Sequence, residues 1–406
     1  MITDRTNDTM EEIKLFDKIE RFCYKTFYFT SPTFHHYING EKNTKRIIII
    51  MLIKSTALLI FIRFGLSLSF NTPFILWLTS DANQVLGNRF IISSILCFGA
   101  LVADLMIGLL LQYKQITGNL YIINHLFQIK KHQNDKNLNT IFAQKFARQL
   151  KLISKFLDYP SLFTIVMNAS FIFCLPPIVA YLDINSEIQY SVWSIIFWTI
   201  ITIICLFDFY TVVFNSFKVL YLSTIYVKYQ FQEVDQLIRQ SIEAENFRRL
   251  FYGLKQHNTI CLSMVKLNQI IKFIILLLYK FAKPILNLLI YILFASDSLM
   301  LTRIYALVIF LIVFSAIFFF NLICTSVTTA AHKPLKTIYK SIKSDKIPIV
   351  LRFKIMSFAE KLRDSTIGFY CYDLFPMNNH EFYQYLCGWA YNYFLIINLL
   401  KKTGMI

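Results

Sequence analysis

Seven long apolar runs dominate the sequence and limit what the chain can fold into. They cover approximately residues 47–70, 90–112, 161–181, 191–214, 269–296, 304–326 and 381–400. A helix needs about 20 mostly apolar residues to cross the hydrocarbon core of a bilayer, and each run has about that length. Hydrophobic residues make up 56% of the chain and charged residues only 16%, which is more apolar than a soluble domain. The sequence therefore predicts an all-α membrane protein with seven transmembrane helices.

The basic residues between these runs predict the orientation of the helices. Of the 41 Lys and Arg residues, 32 lie before the first run and in the connections 113–160, 215–268 and 327–380. Only four, Arg89, Arg303, Lys401 and Lys402, lie on the opposite side. Basic connections stay in the cytoplasm, so we expect a cytoplasmic N-terminus and an extracellular C-terminus. The net charge of +17 is then a topology signal, and no nucleic-acid partner is expected.

This layout predicts three parts of the chain. Residues 1–46 form a cytoplasmic N-terminal tail, and residues 47–380 form a bundle of six transmembrane helices with long cytoplasmic loops. Residues 381–406 form the last helix and a short external tail. The internal loops carry an amphipathic helical pattern, which predicts that membrane helices continue into the cytoplasm. Because the external connections are short, an external ligand must bind within the bundle itself.

No motif in the sequence indicates catalysis or a bound cofactor. The patterns GxSxG and HExxH, Gly-rich phosphate loops and paired carboxylates are absent. The eight cysteines form no CxxC pair, and no histidine has a partner at metal-ligand spacing. We therefore expect neither an enzyme nor a metal site.

The stretch from Ile367 to Leu400 carries a recognisable order of residues. It reads IGFYCYDLFPMNNHEFYQYLCGWAYNYFLIINLL: a Gly-Phe-aromatic opening, an Asp-Leu-Phe step, a short polar break and an aromatic-rich last helix. This order resembles the C-terminal signature of arthropod gustatory receptors, seven-span ligand-gated ion channels of the insect-type chemoreceptor superfamily. Tyr393 matches the Tyr of that signature, whereas Asn392 replaces its Thr and Leu399 and Leu400 replace its Gln-Phe pair. The chain thus resembles a divergent member.

The resemblance carries implications that composition alone does not give. It implies a ligand-gated cation channel in the plasma membrane, built as a tetramer of identical or related subunits, with the last helix of each subunit lining one central pore. It implies that the cytoplasmic helices make most of the subunit contacts. It also implies that a small organic tastant binds among the helices in the outer half of the bundle. Membrane lipid is a further expected partner.

The last run can be tested for a pore-lining face, which should be polar or small while the rest is apolar. Gln384, Gly388, Tyr391, Leu395 and Asn398 recur at spacings of four, three, four and three, which places them on one face. Asn398, with Leu399 next to it, is the candidate for a polar ring near the outer end. The alternative is that these small and polar residues mediate helix packing in the membrane.

Aromatic residues in the outer halves of the runs are candidates for ligand binding. They are Tyr181, Trp193, Trp198, Tyr291 and Tyr305. Aromatic rings with a polar tip suit a small organic ligand. The same residues also suit the aromatic belt at the membrane interface, and the sequence leaves both interpretations open.

Ionisable residues inside the runs predict buried charge pairs, because an isolated charge in a bilayer is costly. Asp104 and Lys283 each lie 14 residues below the outer end of their runs, and Asp208 and Lys280 each lie 17 residues below. These matched depths predict the pairs Asp104 with Lys283 and Asp208 with Lys280. A role of the same groups in ligand binding or gating is the alternative.

Two other classes of membrane protein remain as alternatives. A G-protein-coupled receptor also has seven spans, but its N-terminus faces outside, against the distribution of basic residues. A secondary transporter usually shows internal repeats, and none is detectable in this sequence.

Overall fold

The computed structural model describes residues 44–69, 105–110, 192–294, 300–342, 348–363, 367–372 and 374–402, with isolated positions between 102 and 152. The elements with defined bounds are α1 (Thr44–Ser69), α2 (Val192–Glu243), α3 (Phe247–Phe294), α4 (Met300–His332), α5 (Pro334–Ile342), α6 (Ile349–Arg363), β1 (Tyr370–Cys371), β2 (Phe375–Pro376) and α7 (Asn379–Lys402). Residues 105–110 are also helical. The described part of the chain is mostly helical, as predicted, and also contains one short β-hairpin that the sequence did not predict.

Two compact units divide the chain. The first comprises residues 1–120 and 151–218, and the second comprises residues 121–150 and 219–406. In the first unit, α1 packs on the beginning of α2 through the buried side chains of Ala57, Ile60, Ile201 and Cys205. In the second unit, the largest fully buried side chains include Phe231, Phe320 and Phe369.

The helices α2 and α3 are joined by a tight turn that the local sequence explains. Glu245 adopts a left-handed backbone with φ of 50°. The Asn246 amide donates to the Ser241 carbonyl, and the Glu245 amide donates to the Ile242 carbonyl, which together close the end of α2. The Asn246 side chain then accepts a hydrogen bond from the Arg249 amide at 3.0 Å and caps α3. The chain thus reverses direction between the two long helices within three residues.

The helices α2 and α3 are each longer than a membrane is thick. They contain 52 and 48 residues, which corresponds to about 78 and 72 Å at about 1.5 Å per residue. A hydrocarbon core is about 30 Å thick. The loop 215–268 is therefore helical, as its pattern predicts, and most of it continues the runs 191–214 and 269–296.

Only part of the seven-span prediction can be compared with the structure. Among the described residues, the stretch Ala306–Ile342 is the one helical stretch long and apolar enough to cross a membrane by itself. A second stretch, Phe247–Gln269 with Ile271–Leu277, qualifies only when its two pieces, bent by 43°, are counted as one span. The run 161–181 and most of 90–112 lie outside the described residues. Seven spans and their orientation remain predictions.

Candidate functional site

The last helix, α7, begins at a short hairpin that fixes its position. The strands β1 and β2 pair antiparallel, and the Met377 amide donates to the Phe369 carbonyl at 2.7 Å. Asn378 follows at once and caps α7, because its side chain accepts a hydrogen bond from the Glu381 amide at 2.8 Å. Glu381 also places a negative charge in the first turn, where the helix dipole favours it.

One face of α7 packs against α3 and α4. Phe382, Leu286 of α3 and Ile317 of α4 form a buried cluster that Tyr385, Leu386 and Trp389 extend. The Trp389 ring stacks on Phe310 with ring centroids 6.2 Å apart. Aromatic pairs at this distance stabilise a contact beyond the area that they bury. This face of α7 is therefore a packing surface.

A buried polar group joins the three helices at the same level. The Tyr279 hydroxyl of α3 donates to the Asn321 side chain of α4, and the Asn321 amide donates to the Ile317 carbonyl at 2.8 Å. The Tyr279 ring also meets the Tyr385 ring of α7 edge to face, with centroids 4.4 Å apart. Tyr279 and Asn321 are buried, so they fix how α3, α4 and α7 meet.

The opposite face of α7 is open to solvent in the single chain. Gln384, Tyr391, Leu395 and Asn398 are exposed, Gly388 is half-buried, and the Leu399 side chain lies outside what the structure describes. The exposed arc also includes Tyr383, Cys387 and Phe394, so it is wider than the predicted pore face. A polar face on an otherwise apolar helix is costly against lipid. Pore lining by these residues remains a prediction.

The candidate ligand residues are only partly described. The Trp198 side chain is half-buried in the first unit, where it packs against the cluster of α1 and α2. The Arg63 guanidinium lies 4.9 Å from the centroid of its ring, a cation–π contact. Tyr291 is half-buried on α3. Tyr181 lies outside the described residues, and so do the side chains of Trp193 and Tyr305.

The intramembrane charges pair differently from the prediction. The pairing of Asp208 with Lys280 is wrong, because Asp208 of α2 forms a buried ion pair with Lys54 of α1. Lys280 is exposed on α3 and is therefore not the buried partner of Asp208. Gly108 makes room for this pair, since a Cβ atom there would lie 2.9 Å from the Lys54 Nζ atom. Asp104 lies outside the described residues, and its partner Lys283 is half-buried.

Sequence depth offered a signal for the Lys54 pair. Lys54 lies seven residues from the inner end of the run 47–70, and Asp208 lies six residues from the inner end of 191–214. Both depths are about 10 Å at about 1.5 Å per residue. Counted from the outer ends, Lys54 and Lys280 both lie within one residue of the depth of Asp208, so depth alone does not decide between them.

Metal-binding geometry is absent from the described part of the chain, where no three His, Cys, Asp or Glu side chains converge. Five cysteines in this part are free thiols, and four of these are buried. Buried thiols of this kind behave as small apolar core residues.

Taken together, these helices have the fold of an insect olfactory receptor. Two structures of the olfactory receptor OR5 from Machilis hrabei, one of them in complex with eugenol, match 97% of this chain and 100% of their own chains. Each gives a TM-score of 0.70 at 13% sequence identity. No model of a protein family matches the sequence, and no curated protein does either.

The likeness bears on the sequence-based predictions at the level of the fold. It shows that the fold is shared across 97% of the chain, while the assignment to gustatory receptors remains a proposal. Neither matched structure is an enzyme, in agreement with the lack of catalytic motifs.

Proposed function

We propose that the chain is a subunit of a ligand-gated cation channel that acts as a chemoreceptor, of the gustatory-receptor type. The observation that carries the proposal is the match of 97% of the chain to an insect olfactory receptor, with a TM-score of 0.70. The C-terminal order of residues, IGFYCYDLF followed by an aromatic-rich helix, supports the gustatory type.

The proposed setting is the plasma membrane, crossed seven times. The distribution of basic residues supports a cytoplasmic N-terminus and an external C-terminus. The lengths of α2 and α3 agree with helices that leave the membrane on the cytoplasmic side. In this arrangement, residues 47–380 hold the ligand and residues 381–406 provide the pore helix.

The pore is proposed to lie along the open face of α7. Gln384, Tyr391 and Asn398 of this face are exposed, while Tyr385 and Trp389 of the other face pack on α3 and α4. Four copies of α7 around one axis would bring the open faces together and remove their polar groups from lipid. A tetramer of identical or related subunits is therefore part of the proposal.

Contacts between subunits are proposed to involve α6. Ile349, Val350 and Phe353 are 68%, 67% and 66% exposed on this helix. Lys354 of α6 lies over the Phe251 ring of α3 at 5.0 Å, and Phe251 precedes the run 269–296 by 18 residues. That spacing corresponds to about 27 Å of helix, so lipid cannot cover this apolar face. A neighbouring copy of the chain is the proposed cover.

The ligand is proposed to be a small organic tastant. One matched olfactory receptor structure contains eugenol, a compound of this kind. The candidates for contact with the ligand are Tyr181, Trp193, Trp198, Tyr291 and Tyr305. Of these, Trp198 and Tyr291 have described side chains, and both are half-buried.

Whole-cell recording tests the proposal. Cells that express this chain alone are exposed to a panel of small organic compounds that includes eugenol, and uninduced cells serve as the control. We expect a cation current that at least one compound increases. Surface expression of the chain without any current, at rest or with the panel, would count against a channel and would favour a transporter or a receptor of another class.

A further inference from the structure

The hairpin that precedes α7 is fastened to α3 at two points of its backbone. The Tyr370 amide donates to the Asn268 side-chain oxygen at 3.2 Å. The Tyr372 amide donates to the Lys272 carbonyl at 3.1 Å. The Lys272 ammonium also lies 4.9 Å from the centroid of the Tyr372 ring. Asn268 and Lys272 are four residues apart, so α3 presents both from the same side.

The tip of the hairpin holds a strained residue. Tyr372 has a φ of 53°, and the Leu374 amide donates to the Cys371 carbonyl at 3.1 Å across the tip. A side chain other than glycine is disfavoured in this left-handed region. Such strain persists only where the surroundings hold the residue in place. Here the Lys272 carbonyl and ammonium hold both the backbone and the ring.

The hairpin also fits closely against α4. Gly368 lies so near Thr328 that a Cβ atom on the glycine would be 2.8 Å from the Thr328 Oγ1 atom. Phe369 and Cys371 are fully buried beside it. Six residues after Tyr372, Asn378 caps α7. The start of α7 is therefore connected to α3 and α4 by a short, bonded segment.

We propose that this hairpin, residues 370–376, is a mechanical link between α3 and the cap of α7, in addition to the direct packing of the two helices, with Asn268 and Tyr372 as its positioning residues. A displacement of α3 then reaches the cap of α7 through the Asn268 and Lys272 contacts. The inference rests on the proposed function for its role in gating, because it couples the ligand-holding part of the chain to the pore helix. The structural part of the proposal, that Asn268 sets the position of α7, does not depend on ion conduction.

Hydrogen exchange of the backbone amides of α7 measures directly whether Asn268 stabilises the start of that helix. The full chain in lipid nanodiscs is compared with Asn268→Leu, which removes the acceptor, and with Asn268→Asp, which retains it. Asn258→Leu is the matched control, since Asn258 lies on α3 and accepts a hydrogen bond from Lys361 of α6. We expect Asn268→Leu to speed exchange in residues 379–390 of α7 by about fivefold to tenfold, the effect of one lost hydrogen bond. Asn268→Asp and Asn258→Leu should leave that exchange unchanged.

A second variant keeps the test decisive if Asn268→Leu does not fold. Tyr372→Ala removes the ring from Lys272 and leaves the strained left-handed backbone with less to hold it, so it should also speed exchange in α7. Faster exchange that stops at the hairpin and leaves residues 379–390 unchanged would overturn the inference. The same variants are then recorded as currents at equal surface expression. Absence of current in the unaltered chain would refute the proposed channel function, while the exchange data would still decide the role of the hairpin.

Discussion

At the scale of single residues, the buried pair of Lys54 and Asp208 is the most consequential contact of the first unit. Both side chains are buried, and both lie within predicted membrane runs. Two buried charges stabilise a fold only as a well-made pair, whereas one charge without its partner is strongly destabilising. The pair therefore fixes how α1 meets α2 and makes both residues sensitive to substitution.

Neutralising one partner of this pair should cost more than neutralising both. Asp208→Asn or Lys54→Met alone should lower stability by about 3–5 kcal/mol, or less where water reaches the site. The double variant should recover part of that loss. Thermal unfolding and surface expression of the four proteins complete a double-mutant cycle. Lys255→Met is the control and should be neutral, because Lys255 is exposed on α3 and lies outside the predicted membrane runs. Strictly additive losses would show that Lys54 and Asp208 are not energetically coupled.

Gly368 offers a second test at this scale. Gly368→Ala should destabilise the protein by about 1–3 kcal/mol, because the new Cβ atom would lie 2.8 Å from the Thr328 Oγ1 atom. Adding Thr328→Ala removes that oxygen and should restore stability. Thr328→Val, which places a methyl group there, should not. Equal melting temperatures for the two double variants would contradict this explanation.

Residue chemistry was predicted better than residue pairing. The sequence indicates that Asp208 is buried and needs a cation, because it lies in an apolar run. It does not show which of several lysines at compatible depths faces it, since that choice depends on how helices more than 150 residues apart in the chain are packed. Room for the Lys54 ammonium depends on a third residue, Gly108, which carries no charge to signal its role.

At the scale of elements, α3 is the axis along which the C-terminal part of the chain is arranged. Lys354 and Lys361 of α6 meet Phe251 and Asn258, and Tyr385 of α7 meets Tyr279. In these contacts, later residues of α3 meet later residues of the C-terminal segment. The segment from α6 through the hairpin to α7 therefore runs in the same direction as α3. The helices themselves follow from hydrophobic periodicity. Their alignment with α3 cannot be predicted from this periodicity, because it depends on contacts between residues about 100 positions apart.

His257 of α3 makes the packing of these elements sensitive to acid. It is buried between the rings of Phe231 and Phe358, and its Nε2 atom donates to the Ala331 carbonyl at 2.9 Å. Burial is the main cause that lowers the pKa of His257 from 6.5 to about 4; the hydrogen bond to Ala331 opposes this shift, and the nearby side chains of His332 and Lys361 add to it. His257 precedes the predicted membrane run 269–296.

The sign of the pH effect follows from that lowered pKa. Between pH 6.5 and 4 the unfolded chain binds a proton at His257 that the folded chain does not, so stability falls as the pH falls. The slope should be about 1.4 kcal/mol for each pH unit in this window. His257→Gln, which retains a donor for Ala331, should remove this part of the pH dependence. Unfolding curves from pH 7 to 4 that are parallel for both proteins would argue against a buried neutral His257.

At the scale of the whole molecule, the sequence predicts the fold class because membrane helices leave a strong signal in hydropathy. The runs 47–70, 191–214, 269–296, 304–326 and 381–400 all coincide with described helices. In the last run, Gln384, Tyr391 and Asn398 recur at helical spacing, which predicts a shared face. All three are exposed in the structure. The packed face is harder to predict, because its partners Leu286 and Ile317 lie on other helices.

Assembly is the first expectation for the whole molecule. The open face of α7 and the apolar face of α6 should both be covered by neighbouring copies, so the chain should form tetramers in mild detergent. Native mass spectrometry measures this directly. Replacing Phe353 with Glu should shift the population toward smaller species, because a charge would enter an apolar contact. Monomers that retain channel activity would contradict a shared pore.

The most direct test of the account is the cation permeability of channels with a charge added to α7. Asn398→Asp places a carboxylate on the open face near the outer end of the proposed pore, whereas Tyr393→Asp places one at a half-buried position four residues after Trp389, on the packed side of α7. A ring of carboxylates in a pore alters ion selectivity. Reversal potentials under bi-ionic conditions should therefore shift for Asn398→Asp and not for Tyr393→Asp. Unchanged permeability ratios in both variants, with currents present, would show that this face of α7 does not line the ion path.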